Sequence, residues 1–110
     1  MIAWIVAALL AQAQTPSIVP VGPKQGAQEI WDKACIACHG ADGRGQTRKG
    51  RALKAPDFTS QKWQTDTADE EIEDAIANGV PKTKMPAFKG KLSDAEIQQM
   101  IPFLRAFTKQ

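Results

Sequence analysis

The only two cysteines and the only histidine of this 110-residue chain stand together as Cys35-Ile36-Ala37-Cys38-His39. Scattered at random they would fall into that order in about one placement in six thousand, so the spacing reflects a requirement. Cysteines three positions apart on a helix lie about one turn from each other, and both sulfurs can reach one flat partner. A histidine beside the second can then present Nε2 to a metal at the centre of that partner. This is the attachment signature of c-type haem, whose vinyl groups take up the two thiols as thioethers. Three other uses of the motif conflict with the rest of the chain. A dithiol redox site wants a βαβ context that the sequence lacks. A structural zinc needs further Cys or His ligands, and none exists. A plain disulfide leaves His39 without a purpose.

Composition points the same way. Hydrophobic residues make up 43% of the chain, but they crowd into Met1 to Ala13, and the remaining 97 residues are only about 36% hydrophobic. A domain so poor in apolar side chains is expected to close its core around a bound group, here one haem c per chain. The formal charge is +2, with no long basic run and no interleaving of basic and aromatic residues, which excludes a nucleic-acid partner. Met1 to Ala13 reads as the apolar stretch of a signal peptide, with Ala11-Gln12-Ala13 as a small-x-small cleavage pattern, and it is too short to span a bilayer. No Lys or Arg precedes the apolar run; left uncut, the segment would be an anchor. Residues 14–25 carry Pro16, Pro20 and Pro23 and read as an extended spacer. The domain is expected over residues 26–110, exported to the periplasm.

No run of period two is long enough for a strand, so the chain is expected to be all-α with long loops. The first helix is predicted from Ala27 to about Cys35, with Ala27, Ile30, Trp31 and Ala34 on one face. A loop rich in glycine and proline is predicted from Gly40 to Trp63. A second helix is predicted from Ala68 to Asn78, opened by a Thr67/Glu70 capping box and stopped by Gly79. A third is predicted from Asp94 to Phe107, opened by Ser93 and Glu96, with Leu92 packing on Ile97. Pro102 interrupts this last helix and costs it a bond to the Gln98 carbonyl.

With the motif and this helix order in hand, the chain from Gly26 to Phe107 resembles the class I monohaem cytochromes c, three main helices with long loops around one covalently bound haem. The resemblance implies that His39 and Met85, the latter in Lys84-Met85-Pro86, are the axial iron ligands. It implies that the Pro56 carbonyl, in Pro56-Asp57-Phe58, accepts a hydrogen bond from His39 Nδ1, and that Phe103 of the last helix crosses the first near Ala27 and Trp31. It further implies a one-electron carrier rather than an enzyme, working as a monomer between redox protein partners or membrane respiratory complexes, with no small-molecule substrate. The similar proteins are small bacterial domains, found free or as the haem subunit of an oxidase or dehydrogenase complex. Pro102 within the last helix and Ala27, where the family often has glycine, depart from the pattern.

Met85 also stands out without the resemblance. Met100 lies on the apolar stripe of the last helix and reads as core, whereas Met85 sits between Lys84 and Pro86 with no helical period, where an apolar side chain needs something to hold it. A thioether facing iron supplies that. If Met85 did not ligate, the iron would be five-coordinate, as in a sensor or peroxidase. Phe58 and Phe88 read as pocket wall, and Trp63 either gives its indole N–H to a haem propionate or caps a core edge. Basic residues from Arg44 to Lys54 and from Lys82 to Lys91, against the acidic stretch Asp66 to Asp74, suit a basic rim that steers an acidic redox partner.

Overall fold

Residues 25–109 are described by a computed structural model, and three of its helices open on a hydroxyl side chain that accepts from a first-turn amide. The signal segment and proline-rich spacer expected before this point lie outside the described residues. Helix α1 (Ala27–Ile30) passes through a single π turn (Trp31–Cys35) into α2 (Ile36–His39). Two short helices follow, α3 (Arg48–Leu53) and α4 (Gln61–Asp66). The longer α5 (Asp69–Asn78) and α6 (Asp94–Arg105) come next, and α6 runs on into a 3₁₀ turn, Ala106–Lys109. No strand occurs among the described residues, only an isolated bridge between Lys89 and Leu92.

The capping box of α6 forms as predicted: Glu96 N donates to Ser93 Oγ at 3.1 Å and Ser93 N to Glu96 Oε1 at 2.9 Å. The Thr67/Glu70 box does not form. Thr67 closes α4 instead, its amide donating to the Trp63 carbonyl at 3.0 Å. Its own carbonyl accepts from Arg105 at 2.7 Å, so α5 starts one residue later with Ala68 as its cap. The acidic first turn still suits the helix dipole, and Arg105 reaches Asp69 at 2.7 Å.

The predicted loop from Gly40 to Trp63 contains α3 and the start of α4. Both open on side chains that the sequence displays, Thr47 accepting from Gly50 N at 2.8 Å and Ser60 from Trp63 N at 3.2 Å. One turn and a half of helix is marginal alone, so packing against the rest of the chain had to decide them. Pro102 leaves α6 unbroken. Pro102 and Gln98 are both exposed, so water can serve the carbonyl that proline leaves free.

The first helix differs from its prediction in register. A π turn holds one residue more than an α turn, and the surplus sets every later position back by about 100°. Ala34, predicted on the buried face, is therefore exposed, and Cys35 takes the inward place. The core joins α1, α5 and α6 through Ile30, Trp31, Ile72, Ile76, Ile97, Met100, Ile101 and Leu104, with Phe58 and Phe107 between them. The expected helix crossing is present, with Trp31 and Phe103 ring centres 5.4 Å apart.

Candidate haem site

The core does not close on itself. An apolar cavity, about 400 Å³ of empty space with its open mouth included, lies within it. Cys35 and His39 line it from the first helix, Ile76 from α5, Met100 and Leu104 from α6, and Met85, Phe88 and Leu92 from the segment between α5 and α6. Ile30, Trp31 and Phe58 complete the wall.

Each chemical group reaches this space for a local reason. The π turn brings Cys35 and His39 under Trp31. Trp31 is only 1% exposed, and its Nε1 donates to the Gly40 carbonyl at 3.1 Å, which closes the end of α2. Phe58 is clamped at both backbone atoms, its N–H donating to the Gly43 carbonyl and its carbonyl accepting from Gln64 Nε2, each at 2.8 Å. Its ring stacks on the His39 imidazole at 4.7 Å. Beyond Asn78 the chain doubles back, and Phe88 N and Lys89 N donate to the carbonyls of Ile76 and Ala77, each at 2.9 Å. Those two bonds satisfy carbonyls at the end of α5 and turn Met85 and Phe88 inward. Gly79 makes the reversal possible: its φ is +75°, and a Cβ there would stand 2.7 Å from the Met85 carbonyl.

Burial holds the titratable groups that line the cavity neutral. Burial pushes the Cys35 thiol up to about 11, so the sulfur is uncharged at neutral pH; a thioether meets the same condition with no proton to lose. Burial also lowers the His39 pKa below its ordinary value, which keeps the imidazole neutral and a nitrogen lone pair available. Cys35 and Cys38 are free thiols. No group of three or more His, Cys, Asp or Glu converges among the described residues, which argues against the zinc alternative.

Not every predicted residue reaches the cavity. Cys38 is half-buried beside His39 and is not among the lining side chains. Trp63 is half-buried with its ring 4.6 Å from that of Phe58 and is not among the lining side chains. The bond expected between Pro56 and His39 is not made. With the imidazole stacked on Phe58, its buried Nδ1 reaches no hydrogen-bond partner, and Pro56 is exposed. Of the wall residues, Ile30, Ile76, Met100 and Leu104 read from sequence as ordinary core faces. The signal that these faces surround a space was the low apolar content of the chain.

The residues present fit a haem. The cavity is apolar, it carries a thiol, an imidazole and a thioether together, and the one buried side-chain polar atom without a partner among the described residues belongs to the imidazole. Comparison with known proteins agrees. Residues 22–104 match the family model described as cytochrome C oxidase, cbb3-type, subunit III. A cytochrome c6 of Leptolyngbya boryana is 40% identical over 72 residues, 66% of this chain and 78% of that protein. The cbb3-type cytochrome c oxidase subunit FixPc of Rhizobium leguminosarum bv. viciae is 30% identical over 77% of this chain, but the match spans only 28% of that subunit. The solved structure of the KustC0563 c-type cytochrome superposes with a TM-score of 0.70 at 35% identity, covering 76% of this chain and 98% of the other. The chain therefore belongs to the c-type cytochromes, in the family of cytochrome c oxidase, cbb3-type, subunit III: an electron-transfer domain of class I fold with covalently bound haem c.

Proposed function

We propose that this domain is a one-electron carrier that holds its iron between His39 and Met85, with Cys35 and Cys38 joined to the haem as thioethers. The observation that carries the reading is the meeting of Cys35, His39 and Met85 on one apolar cavity, although Met85 comes from a loop far along the chain. The haem supplies one-electron chemistry, its iron passing between ferrous and ferric states. The chain's own residues do the rest. His39 offers a neutral nitrogen. Met85 offers a soft thioether, which favours the ferrous state and raises the potential relative to a second histidine. Trp31, Phe58 and Phe88 exclude water from the space between them. With both residues holding the iron, no place would be left for a small-molecule substrate.

Spectra of the oxidised and reduced protein, made with haem-attachment machinery and compared with Met85→Ala, test this. Haem should stay on the chain after denaturation, and a long-wavelength sulfur-to-iron band should be present in the ferric wild type and absent from the variant. A wild type without that band, or one that binds carbon monoxide rapidly when reduced, would replace the carrier by a five-coordinate haem. The likeness to FixP-type subunits supports a second reading, a haem-bearing subunit of an oxidase complex. Co-purification with partner chains, against migration as a small monomer, separates the two.

The apolar segment Met1 to Ala13 supports export to the periplasm. Among the described residues no helix is long and apolar enough to cross a membrane. Lys82, Lys84, Lys89 and Lys91 are exposed around Met85 and form no ion pair among the described residues. They support an acidic redox partner, and the reaction rate with such a partner should fall as ionic strength rises. A rate independent of salt would remove that element.

A further inference from the structure

The last turn of a helix leaves its carbonyls without intrahelical donors, and in this chain that turn carries the iron ligand. The structure supplies a donor to the peptide that joins Cys38 to His39. Thr47 Oγ1 donates to the Cys38 carbonyl at 2.9 Å, and the same oxygen accepts from Gly50 N at 2.8 Å. A hydroxyl has one proton to give, and here it goes to the attachment helix while the lone pair caps α3. The neighbouring His39 carbonyl accepts from Gly45 N at 2.9 Å.

Gly50 shows how close the approach is. It is buried, and a Cβ at that position would collide with the carbonyl oxygens of Cys38 and Gly45. The backbone of α3 is thus seated directly on the end of α2, with the Thr47 hydroxyl as the directed bond across the contact. Thr47 is itself half-buried, so water has restricted access to replace that bond.

We infer that Thr47 is a positioning residue for the electron-transfer site: its hydroxyl holds the Cys38–His39 peptide in place and thereby sets how His39 meets the iron. The inference rests on the reading of His39 as an axial ligand. Two consequences follow from the chemistry. Removing the hydroxyl frees the peptide to tilt, which changes the ligand field at the iron. It also removes the positive end of an O–H dipole from the peptide beside the ligand, which favours the ferric state and lowers the potential.

The test uses the haem-loaded protein with Thr47→Val, which keeps the shape and loses the hydroxyl, and Thr47→Ser, which keeps the hydroxyl. Midpoint potential and the low-temperature electron paramagnetic resonance spectrum of the ferric protein are read for both. Thr47→Val is expected to shift the ferrous/ferric equilibrium about threefold toward ferric, about 28 mV at 59 mV per tenfold, and to change the g-values. Thr47→Ser is expected to restore both. If Thr47→Val does not fold, Thr47→Ala takes its place and is judged by the same readouts.

A hydroxyl-free variant with a lower melting temperature but unchanged potential and g-values would overturn the inference, leaving Thr47 as a cap of α3 only. An equal shift in Thr47→Ser would overturn it too, because the hydroxyl would then not be the cause. Failure of the underlying reading looks different: His39→Ala would leave the wild-type ferric spectrum unaltered.

Discussion

On one side of the cavity the carbonyls of Ile36, Cys38, His39 and Gly40 accept from Gly40 N, Thr47 Oγ1, Gly45 N and Trp31 Nε1, at 2.9, 2.9, 2.9 and 3.1 Å. On the other side Met85 hangs from a loop whose residues 80–84, 86 and 87 are exposed, and its own amide finds only the Thr83 hydroxyl at 3.2 Å. The attachment side is densely bonded by the chain's own groups. The methionine side is pinned at Gly79 and again at Phe88 and Lys89, with little holding the stretch between. If His39 and Met85 hold the iron as proposed, the first would keep its geometry on a fixed peptide, while the second, on a sparsely bonded loop, would depend on that bond for much of its order. The difference predicts which side fails first.

The comparison can be broken at its strong end with the double change Cys35→Ala and Cys38→Ala. Covalent haem after denaturation should go from complete to none. Haem remaining on that chain would mean that the thiols are not the attachment points.

Gly50→Ala and Gly79→Ala set the two sides against each other. At Gly50 the new methyl meets two backbone oxygens that cannot step aside, so a loss of about 3 kcal/mol is expected, a fall in Tm of roughly 15 °C. Gly79→Ala imposes a side chain at φ +75° against the Met85 carbonyl, and the loop can give way at about 1–2 kcal/mol. Its signature should instead be loss of the sulfur-to-iron band while helical circular dichroism persists. Equal losses of Tm with the band intact in both would erase the contrast between the sides.

A finer test addresses the outer tie of the attachment helix. Glu96 accepts from Ser93 N and from Gln25 N, at 2.9 and 3.1 Å, which fastens the start of α1 to α6, and Gln99 Nε2 donates to the Gln25 carbonyl. These bonds, the Ser93 backbone first, hold the Glu96 carboxyl below its ordinary 4.5. A carboxyl whose folded pKa is depressed stabilises the fold above its unfolded value and loses that contribution as pH falls through the folded one. Glu96→Gln should therefore lower Tm at pH 7 and lose less than the wild type on acidification below about 4.5. Parallel Tm curves for the two proteins down to pH 3 would show that the tie is not pH-linked.

The smallest effect is expected from deleting Ala34. It is the exposed surplus residue of the π turn, and its removal should let the helix run as regular α with Cys35 and His39 still beneath Trp31, at a cost under about 1 kcal/mol. Loss of the native visible spectrum would show that the π turn sets more than the register.

Much of this was legible in the residues. The attachment motif, the Ser93/Glu96 box and the helical spacing of Ile72 with Ile76 are short-range patterns, and the last two formed as read. Met85 was legible by elimination, because a methionine with no helical period next to a proline has no ordinary packing role. What escaped depended on contacts distant in sequence. Thr67 was drawn away from its predicted box by α4 and by Arg105. The His39 Nδ1 has no hydrogen-bond partner, and its ring stacks on Phe58. The surplus residue at Ala34 could not be placed, since a periodic face reads the same until the helix has something to pack against.

The sequence by itself determined the chemistry: two thiols and an imidazole in one helical turn, a lone thioether far along the chain, and too few apolar residues to fill a core. Bonding patterns within a few residues set these, and no fold is needed to read them. Only the tertiary structure decided that the thioether and the imidazole line one cavity, that a π turn brings Cys35 inward, and that the Thr47 hydroxyl bonds the Cys38 carbonyl. Each of these is a contact between segments far apart in the chain, and such contacts are chosen by the packing of the whole core.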